Sequence, residues 1–240
     1  MFHKRITALF KMAKVIIDNP VNLISIKPGI ENFGILINNQ SLEKLPKVAK
    51  NFNDCFIINN FDTEFDIIGN HLLGKNIIQF SNRMYGTTPL NPAHYRKFGI
   101  KEIQFYKSNS LLDYRLLYLL YKYQLLGLST VFLPKYIDVS GLIFGPSFKN
   151  KFPSTDLCAI YYALEIIRPK NLWVIGLDFY EHGYLTRNVD NALVEKKRKK
   201  LKKANAHNVV NEWIRYYKDV NFNIVTYYKG FKHRNNLNIF

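Results

Sequence analysis

The sequence predicts an α/β fold, with a mostly parallel twisted sheet, helices on both faces and a small lid region. Short apolar runs alternate along the chain with segments of helical periodicity. Several of these runs stop abruptly at glycine or asparagine, which is typical of buried parallel strands. The chain has 240 residues, a length that suits one domain carrying a lid.

The elements follow in order along the chain. Strands are predicted at residues 33–37, 55–58, 76–80, 102–105, 130–133, 172–175 and 223–226. Helices are predicted at residues 42–50, 111–126, 155–167 and 206–218, the first with Ser41 as its N-cap. Strands that alternate with helices in this way predict a Rossmann-like sheet.

Two kinds of segment flank or interrupt this pattern. Residues 1–25 predict a basic amphipathic helix, which either docks on the protein or lies on an anionic membrane. Residues 26–240 are then a single Rossmann-like domain. The Gly- and Pro-rich segment 138–153 and the polar, basic segment 184–206 are the two candidates for a lid.

The net charge of +16 implies an anionic partner or surface. The densest basic cluster, residues 196–203, is either a solvated helix face or loop, or a grip for a phosphate backbone, acidic lipid heads or an acidic glycan. The chain has no zinc-finger spacing, ribonucleoprotein motif or helix-turn-helix pattern. We therefore expect no nucleic acid partner.

The hydropathy pattern bears on location. No apolar run reaches the roughly 18 residues that cross a bilayer, and the N-terminus lacks a secretory cleavage signature. We expect a cytoplasmic protein, and the N-terminal segment leaves open a peripheral association with the inner face of an anionic membrane. Cys55 and Cys158 lie in apolar runs, which predicts buried free thiols.

The stretch that reads NLWVIGLDFYEHG, residues 171–183, is the strongest candidate for a site. Its apolar run closes at Gly176, and in open parallel sheets ligands collect just beyond the carboxyl ends of such strands. Either Tyr180 projects toward a ligand, or Asp178 caps the turn while Phe179 and Tyr180 pack on the sheet. The turn after the first strand, residues 38–42, has neither the glycines of a dinucleotide fingerprint nor a P-loop.

Four segments together resemble the bacterial lipooligosaccharide sialyltransferases, glycosyltransferase family 42. The family's Asn-Gly-Pro-Ser-Leu turn is similar to residues 38–42, and its Cys-Asn-Gln-Phe is similar to residues 58–61. Its Phe-Tyr-Asn resembles residues 80–82. The most specific match is Ser-Gly-Ile-Asp-Phe-Tyr-Gln-Asn-Gly, which resembles residues 175–183. The resemblance implies a GT-A variant of the Rossmann-like fold.

The resemblance also implies an activity. It predicts an inverting, metal-independent transferase that moves sialic acid or a related nonulosonic sugar from a CMP donor to a glycan or lipid-linked glycan, without a cofactor. Tyrosine hydroxyls would stabilise the charge on the departing phosphate. The family positions for that role fall on Tyr180 and Tyr184. The resemblance also implies donor-binding residues, which either match family positions or lie in the matching segments. They are Asn38, Asn39, Ser41, Asn59, Asn82 and Asp178.

Two further matches complete the predicted site. Ser154 and Thr155 open a helix as the family's Thr-Ser-Gly does, and they either bind the donor carboxylate, cap the helix or do both. The family's catalytic histidine falls on Lys203 in an ungapped alignment, and His207 lies four residues later. We expect His207 to act as the general base, with His182 in reserve.

Other functions remain open at this point. Asp62, Glu64 and Asp66 occupy alternate positions along one segment. Their carboxylates either bind a divalent cation or belong to a solvated loop. We prefer the second interpretation and expect no metal. The main alternative to the enzyme is a degenerate transferase fold that binds an anionic glycan, a membrane surface or nucleic acid. A third possible function is that of a nucleotide-dependent enzyme from another doubly wound family. The sequence leaves room for a homo-oligomer.

Overall fold

The computed structural model describes residues 26–59, 61, 63–81, 92–105, 127–132, 139–149, 151–185 and 191–240. Within these residues the chain forms one sheet of eight strands in the order β5-β4-β3-β2-β1-β6-β7-β8, with every neighbouring pair parallel. The strands are β1 (Asn32–Leu36), β2 (Asp54–Ile58), β3 (Asn76–Ser81), β4 (Glu102–Phe105), β5 (Ser129–Phe132), β6 (Asn171–Ile175), β7 (Asn221–Val225) and β8 (Leu237–Ile239).

The helices of the described residues connect these strands. They are α1 (Leu45–Val48), α2 (Glu64–Ile68), α3 (Pro92–Lys97), α4 (Ser140–Phe144), α5 (Thr155–Tyr162), α6 (Asn191–Lys203) and α7 (Ala206–Tyr216). Short 3-10 turns cover Gln40–Lys44, Ala49–Asn51, Gly69–His71 and Pro146–Phe148, and α5 continues into a π-helical turn at Ala163–Ile167.

Both faces of the sheet pack against helices and turns, and each face carries its own hydrophobic core. Because side chains alternate along a strand, one strand contributes to both cores. Phe33 and Ile35 of β1 face a core that includes residues of α5 and α7. Leu36 of the same strand faces a second core, formed with the segment after β1 and with α2. This arrangement confirms the predicted α/β sheet with helices on both faces.

The predicted strands are present with ends that shift by one or two residues at most. The predicted helix at 42–50 is instead broken into 3-10, α and 3-10 turns, because Pro46 in its middle cannot donate a backbone hydrogen bond. The prediction that Ser41 is the N-cap of this helix was wrong. Ser41 lies inside the first 3-10 turn, and its side chain bonds to Asp178.

Some predictions fall outside the described residues: the N-terminal segment 1–25, the helix at 111–126, Asn82 and Asp62. Cys55 and Cys158 are free and buried, which confirms that prediction. In the part of the chain that the structure describes, no helix combines the length and the apolar character needed to cross a membrane.

Candidate active site

The strand order reverses between β1 and β6: strands β2 to β5 follow on one side of β1, and β6 to β8 follow on the other. β1 and β6 are thus neighbours in the sheet, although four strands lie between them in sequence. Such a reversal opens a crevice at the carboxyl ends of the two strands, where ligands bind in open α/β sheets. The segments that leave the sheet at this point are residues 37–41 after β1 and residues 176–185 after β6.

Gly176 lets these two segments approach each other closely. Its φ is +89°, and a Cβ atom there would lie 2.1 Å from the carbonyl oxygen of Ile37. The Gly176 carbonyl accepts a 2.7 Å hydrogen bond from Asn39 Nδ2, and its N–H donates to the Val225 carbonyl at 3.0 Å. A residue with a side chain fits neither the space nor the backbone conformation.

The Asp178 carboxylate lies beneath the crevice and is fully buried. Ser41 donates to it from its backbone N–H at 2.8 Å and from its hydroxyl at 2.6 Å. Thr226 Oγ1 donates at 2.9 Å and the Tyr227 N–H at 2.8 Å. The carboxylate thus joins the ends of β1, β6 and β7.

This burial corrects three predicted donor-binding residues. Asn39, Ser41 and Asp178 have no exposed surface, and their side chains bond to the protein itself. They hold the two loops in place and do not line the crevice. Of the two interpretations of this segment, the structure supports the second, in which Asp178 fixes the turn while Phe179 and Tyr180 are packed in the core.

The turn that carries Tyr180 is strained. The Glu181 N–H donates to the Asp178 carbonyl at 2.9 Å, and the two residues between them, Phe179 and Tyr180, have φ of 49° and 63°. Positive φ at bulky residues costs about 1–3 kcal/mol each, and such strain clusters at functional sites. Arg198 of α6 stabilises the turn, because its Nη2 donates to the carbonyls of Tyr180 and Glu181 at 3.1 and 2.9 Å.

The two predicted tyrosines lie together. The rings of Tyr180 and Tyr184 meet edge to face, with centroids 5.4 Å apart. Lys197 Nζ of α6 lies 4.8 Å from the first centroid and 4.6 Å from the second, which is within cation–π range. Tyr180 is 8% exposed, and Tyr184 is half-buried. Part of the segment predicted as a lid, α6, therefore covers the phenols.

The asparagines after β1 and β2 connect the turns around the crevice. Asn38 Nδ2 donates to buried Glu64, and Asn38 Oδ1 accepts from the Leu185 N–H at 3.4 Å. Asn59 has φ of 59°, and its Oδ1 accepts from Thr155 Oγ1 at 3.4 Å. The tyrosine loop is thereby tied to β1, and the start of α5 is tied to β2.

Asp156, the second residue of α5, was missed by sequence reasoning. It is 2% exposed, and its Oδ1 has no hydrogen-bond partner among the described residues. Burial raises its pKa, while the Ser154 side chain, the N–H groups of residues 156 and 157, and the Lys197 charge act in the opposite direction. In the sequence Asp156 looks like an ordinary acidic residue in the first turn of a helix, so no local signal marks it.

His207 lies on the far side of the tyrosine turn, in the first turn of α7. Its ring is 4.2 Å from that of Phe179 and stacks on Tyr228 at 4.8 Å. Its Nε2 is buried and lacks a partner among the described residues. Burial lowers the pKa of His207, and the Glu181 charge opposes that shift. Its Nε2 is thus enclosed, although the residue as a whole is only half-buried.

The reserve histidine lies apart from this group. His182 is exposed, and its ring contacts Tyr227 with centroids 5.6 Å apart. The Tyr227 hydroxyl donates to Glu43, next to the turn after β1. His182 thus lies on an outer surface, and we do not retain it as a base.

Of the three acidic residues considered for a metal, the structure describes Glu64 and Asp66, and these two point in different directions. Glu64 points inward to Asn38, whereas Asp66 is exposed. Among the residues that can be described, no group of three His, Cys, Asp or Glu side chains has an arrangement suited to a metal ion. The interpretation as solvated loop residues agrees with the exposure of Asp66 but was wrong for Glu64, which is buried at the start of α2.

Comparisons with protein-family models, curated proteins and solved structures found no match. The predicted site residues fall into three groups. The first group has two parts: Asn38 bonds to the loop that carries Tyr180 and Tyr184, and Asn59 bonds separately to Thr155, with Ser154 next to it. Asn39, Ser41 and Asp178 lie beneath it, and His207 lies behind the tyrosine turn.

Proposed function

We propose that this protein is an inverting, metal-independent glycosyltransferase that moves sialic acid or a related nonulosonic sugar from a CMP donor to a glycan hydroxyl. The observation that carries the proposal is the placement of Lys197 over both Tyr180 and Tyr184 at the sheet's switch point. A cation and two phenols are the groups that a departing phosphate requires.

The chemistry follows from where charge develops. As the bond between the sugar and CMP breaks, its electron pair moves to the phosphate oxygen. Phenol hydroxyls that donate to this oxygen, and an ammonium group beside it, stabilise the transition state more than the ground state. When the donor binds, Lys197 exchanges its contact with the rings for an ion pair with the phosphate, so α6 acts as the lid.

The donor's remaining groups would meet polar atoms on the opposite wall. The asparagines after β1 and β2 offer amides to the nucleotide and the sugar. Ser154 and Thr155 open α5, and their side chains would meet the carboxylate of a nonulosonic sugar. His207 supports the tyrosine turn through Phe179, which we propose as its main contribution.

The test is CMP release from CMP-sialic acid by the purified protein in the presence of EDTA. Tyr180→Phe and Tyr184→Phe should each lower kcat by about 10²–10³-fold, the usual effect of losing one transition-state donor. Tyr216→Phe is the matched control, because Tyr216 is 77% exposed and lies in α7. Full turnover in a Tyr180→Phe/Tyr184→Phe double variant would refute the proposed role of the phenols.

One observation favours a second candidate function, a non-catalytic module that binds an anionic surface. The outward face of α6 exposes Lys196, Lys199, Lys200, Lys202 and Lys203. The same face would hold the enzyme at the inner, anionic side of the membrane, close to a lipid-linked acceptor. Salt-sensitive binding to anionic vesicles, with no thermal shift from CMP, would support the module and argue against the enzyme.

A further inference from the structure

Arg198 of α6 joins the basic cluster to the tyrosine turn, and it does so through the backbone of the turn. Its Nη2 donates to the carbonyls of Tyr180 and Glu181 at 3.1 and 2.9 Å. Its Nη1 donates to Glu195 Oε2 at 3.0 Å, one turn earlier on the same helix. Because a guanidinium is planar and its donors have a fixed geometry, these three acceptors together set its orientation.

The helix that carries Arg198 shares a core with the turn. Leu201 of α6 is 2% exposed, and Val194 packs against the same core. These two residues and Arg198 are spaced by four and three positions, so they lie on one side of the helix. That core also includes Phe179 and Tyr180. The helix and the turn are therefore packed together, and Arg198 adds hydrogen bonds between them.

The turn needs this support because its backbone is strained. Phe179 and Tyr180 both have positive φ, a conformation that bulky residues keep only where the surroundings impose it. Lys197 contacts both phenol rings, but in the proposed reaction it exchanges that contact for the phosphate of the donor. Arg198 donates to main-chain carbonyls, so its hydrogen bonds persist while the Lys197 side chain changes partner. The two neighbouring cations thus have different tasks.

We propose that Arg198 is a positioning residue, which holds the Tyr180 hydroxyl where it meets the departing phosphate oxygen; this role rests on the proposed function. Arg198 itself touches no reacting atom and acts through Tyr180. Because Tyr180 is 8% exposed, a small displacement of the turn is enough to withdraw its hydroxyl from the crevice. A misplacement of about 1 Å costs on the order of 10²-fold in rate.

The first experiment measures CMP release from CMP-sialic acid, with EDTA present, in Arg198→Met, Arg198→Lys and the wild type. Methionine donates no hydrogen bond, so we expect kcat to fall by about 10²-fold while the KM for the donor stays within about threefold. Lysine can still donate to both carbonyls and should restore kcat to within about tenfold of the wild type.

Arg215→Met is the matched control for these variants. Arg215 of α7 also pairs with a glutamate one turn earlier, Glu212, and its side chain is 64% exposed. It should match the wild type in kcat and KM. Because the Arg198 side chain is itself 44% exposed, its replacement leaves no buried charge, and we expect both Arg198 variants to fold.

A double-mutant cycle gives a readout that a general loss of stability would not produce. If Arg198 acts through the Tyr180 hydroxyl, its replacement should have little effect once that hydroxyl is gone. In the Tyr180→Phe background, Arg198→Met should therefore lower kcat by less than about threefold more. Losses of about 10²-fold in both backgrounds would show that Arg198 acts independently of Tyr180, and they would overturn its positioning role.

The remaining kinetic outcomes separate the two proposals. If the wild type neither releases CMP nor shows a thermal shift with it, the proposed function fails, and the role of Arg198 in the reaction fails with it. If the wild type is active and Arg198→Met stays within about threefold of its kcat, only the role of Arg198 is overturned. If the variant raises the KM for the donor by more than it lowers kcat, Arg198 binds the donor directly and the inference is likewise wrong.

Hydrogen exchange tests the support of the turn without any reaction. The Glu181 N–H donates to the Asp178 carbonyl across the turn. Its exchange, followed by NMR where urea unfolding shows each variant to be folded, should be about tenfold faster in Arg198→Met than in the wild type. Arg215→Met should leave it unchanged. An equal exchange rate in Arg198→Met and the wild type would overturn the hold of Arg198 on the turn.

Discussion

Replacing Asp178 by alanine should unfold the protein at a much lower urea concentration. The substitution removes the acceptor for the backbone N–H groups of Ser41 and Tyr227, for which the structure gives no other acceptor. The hydroxyls of Ser41 and Thr226 have second acceptors at 3.2 and 2.8 Å, so they are left out of the estimate. One buried and one half-buried N–H group at about 2 kcal/mol each give a loss of about 4 kcal/mol.

The assay is equilibrium urea unfolding followed by far-UV circular dichroism. With a slope of about 2 kcal/mol per M, the midpoint should fall by about 2 M. Asp178→Asn keeps one oxygen and turns an amide toward the Ser41 N–H, so it should lose about half as much. Asp219→Ala, at an exposed aspartate, is the control. A midpoint for Asp178→Ala within about 0.3 M of the wild type would refute the reasoning.

Two further substitutions test the crevice. Gly176→Ala combines positive φ with a steric conflict at the Ile37 carbonyl, so it should lower the free energy of unfolding by more than about 3 kcal/mol. Gly74→Ala is the control: its φ is +77° but the space around it is open, so it should lower that free energy by about 1 kcal/mol. Similar urea midpoints for the two variants would contradict the close approach at Gly176. Because burial lowers the folded pKa of His207, the unfolded chain binds the proton more tightly, so this stability is present above about pH 6.5 and is lost as pH falls through the folded pKa. His207→Gln should reduce the loss of stability between pH 7.5 and 5, measured by urea unfolding, and the exposed His233→Gln should not.

Much of the sheet could be predicted because buried parallel strands are apolar on both faces. Such strands appear in sequence as short, continuous apolar runs between polar turns, as in residues 172–175. β8 was missed because it is short, lies at the edge of the sheet and alternates Asn with Leu and Ile. Its pairing with β7 depends on how the rest of the chain folds, and no local sequence pattern predicts it.

The site was predictable only where strand ends determine proximity. Asn38 and Asn59 end neighbouring parallel strands, so the sequence was sufficient to bring their turns together. The burial of Ser41 and Asp178 depends on a contact across 137 residues, which one sequence does not reveal. Asp156 resembles an ordinary acidic residue in the first turn of a helix, and only its burial distinguishes it.

The adjacency of β1 and β6 also has a consequence for how the chain emerges during synthesis. The edge of β1 that pairs with β6 has no partner until residue 171 has been made, which is 135 residues after Leu36 (171 − 36 = 135). At about 5–20 residues per second, this interval lasts roughly 7–27 s. Over that time the nascent chain presents an open, apolar strand edge, so its yield in cells should depend on chaperones that shield such edges during translation.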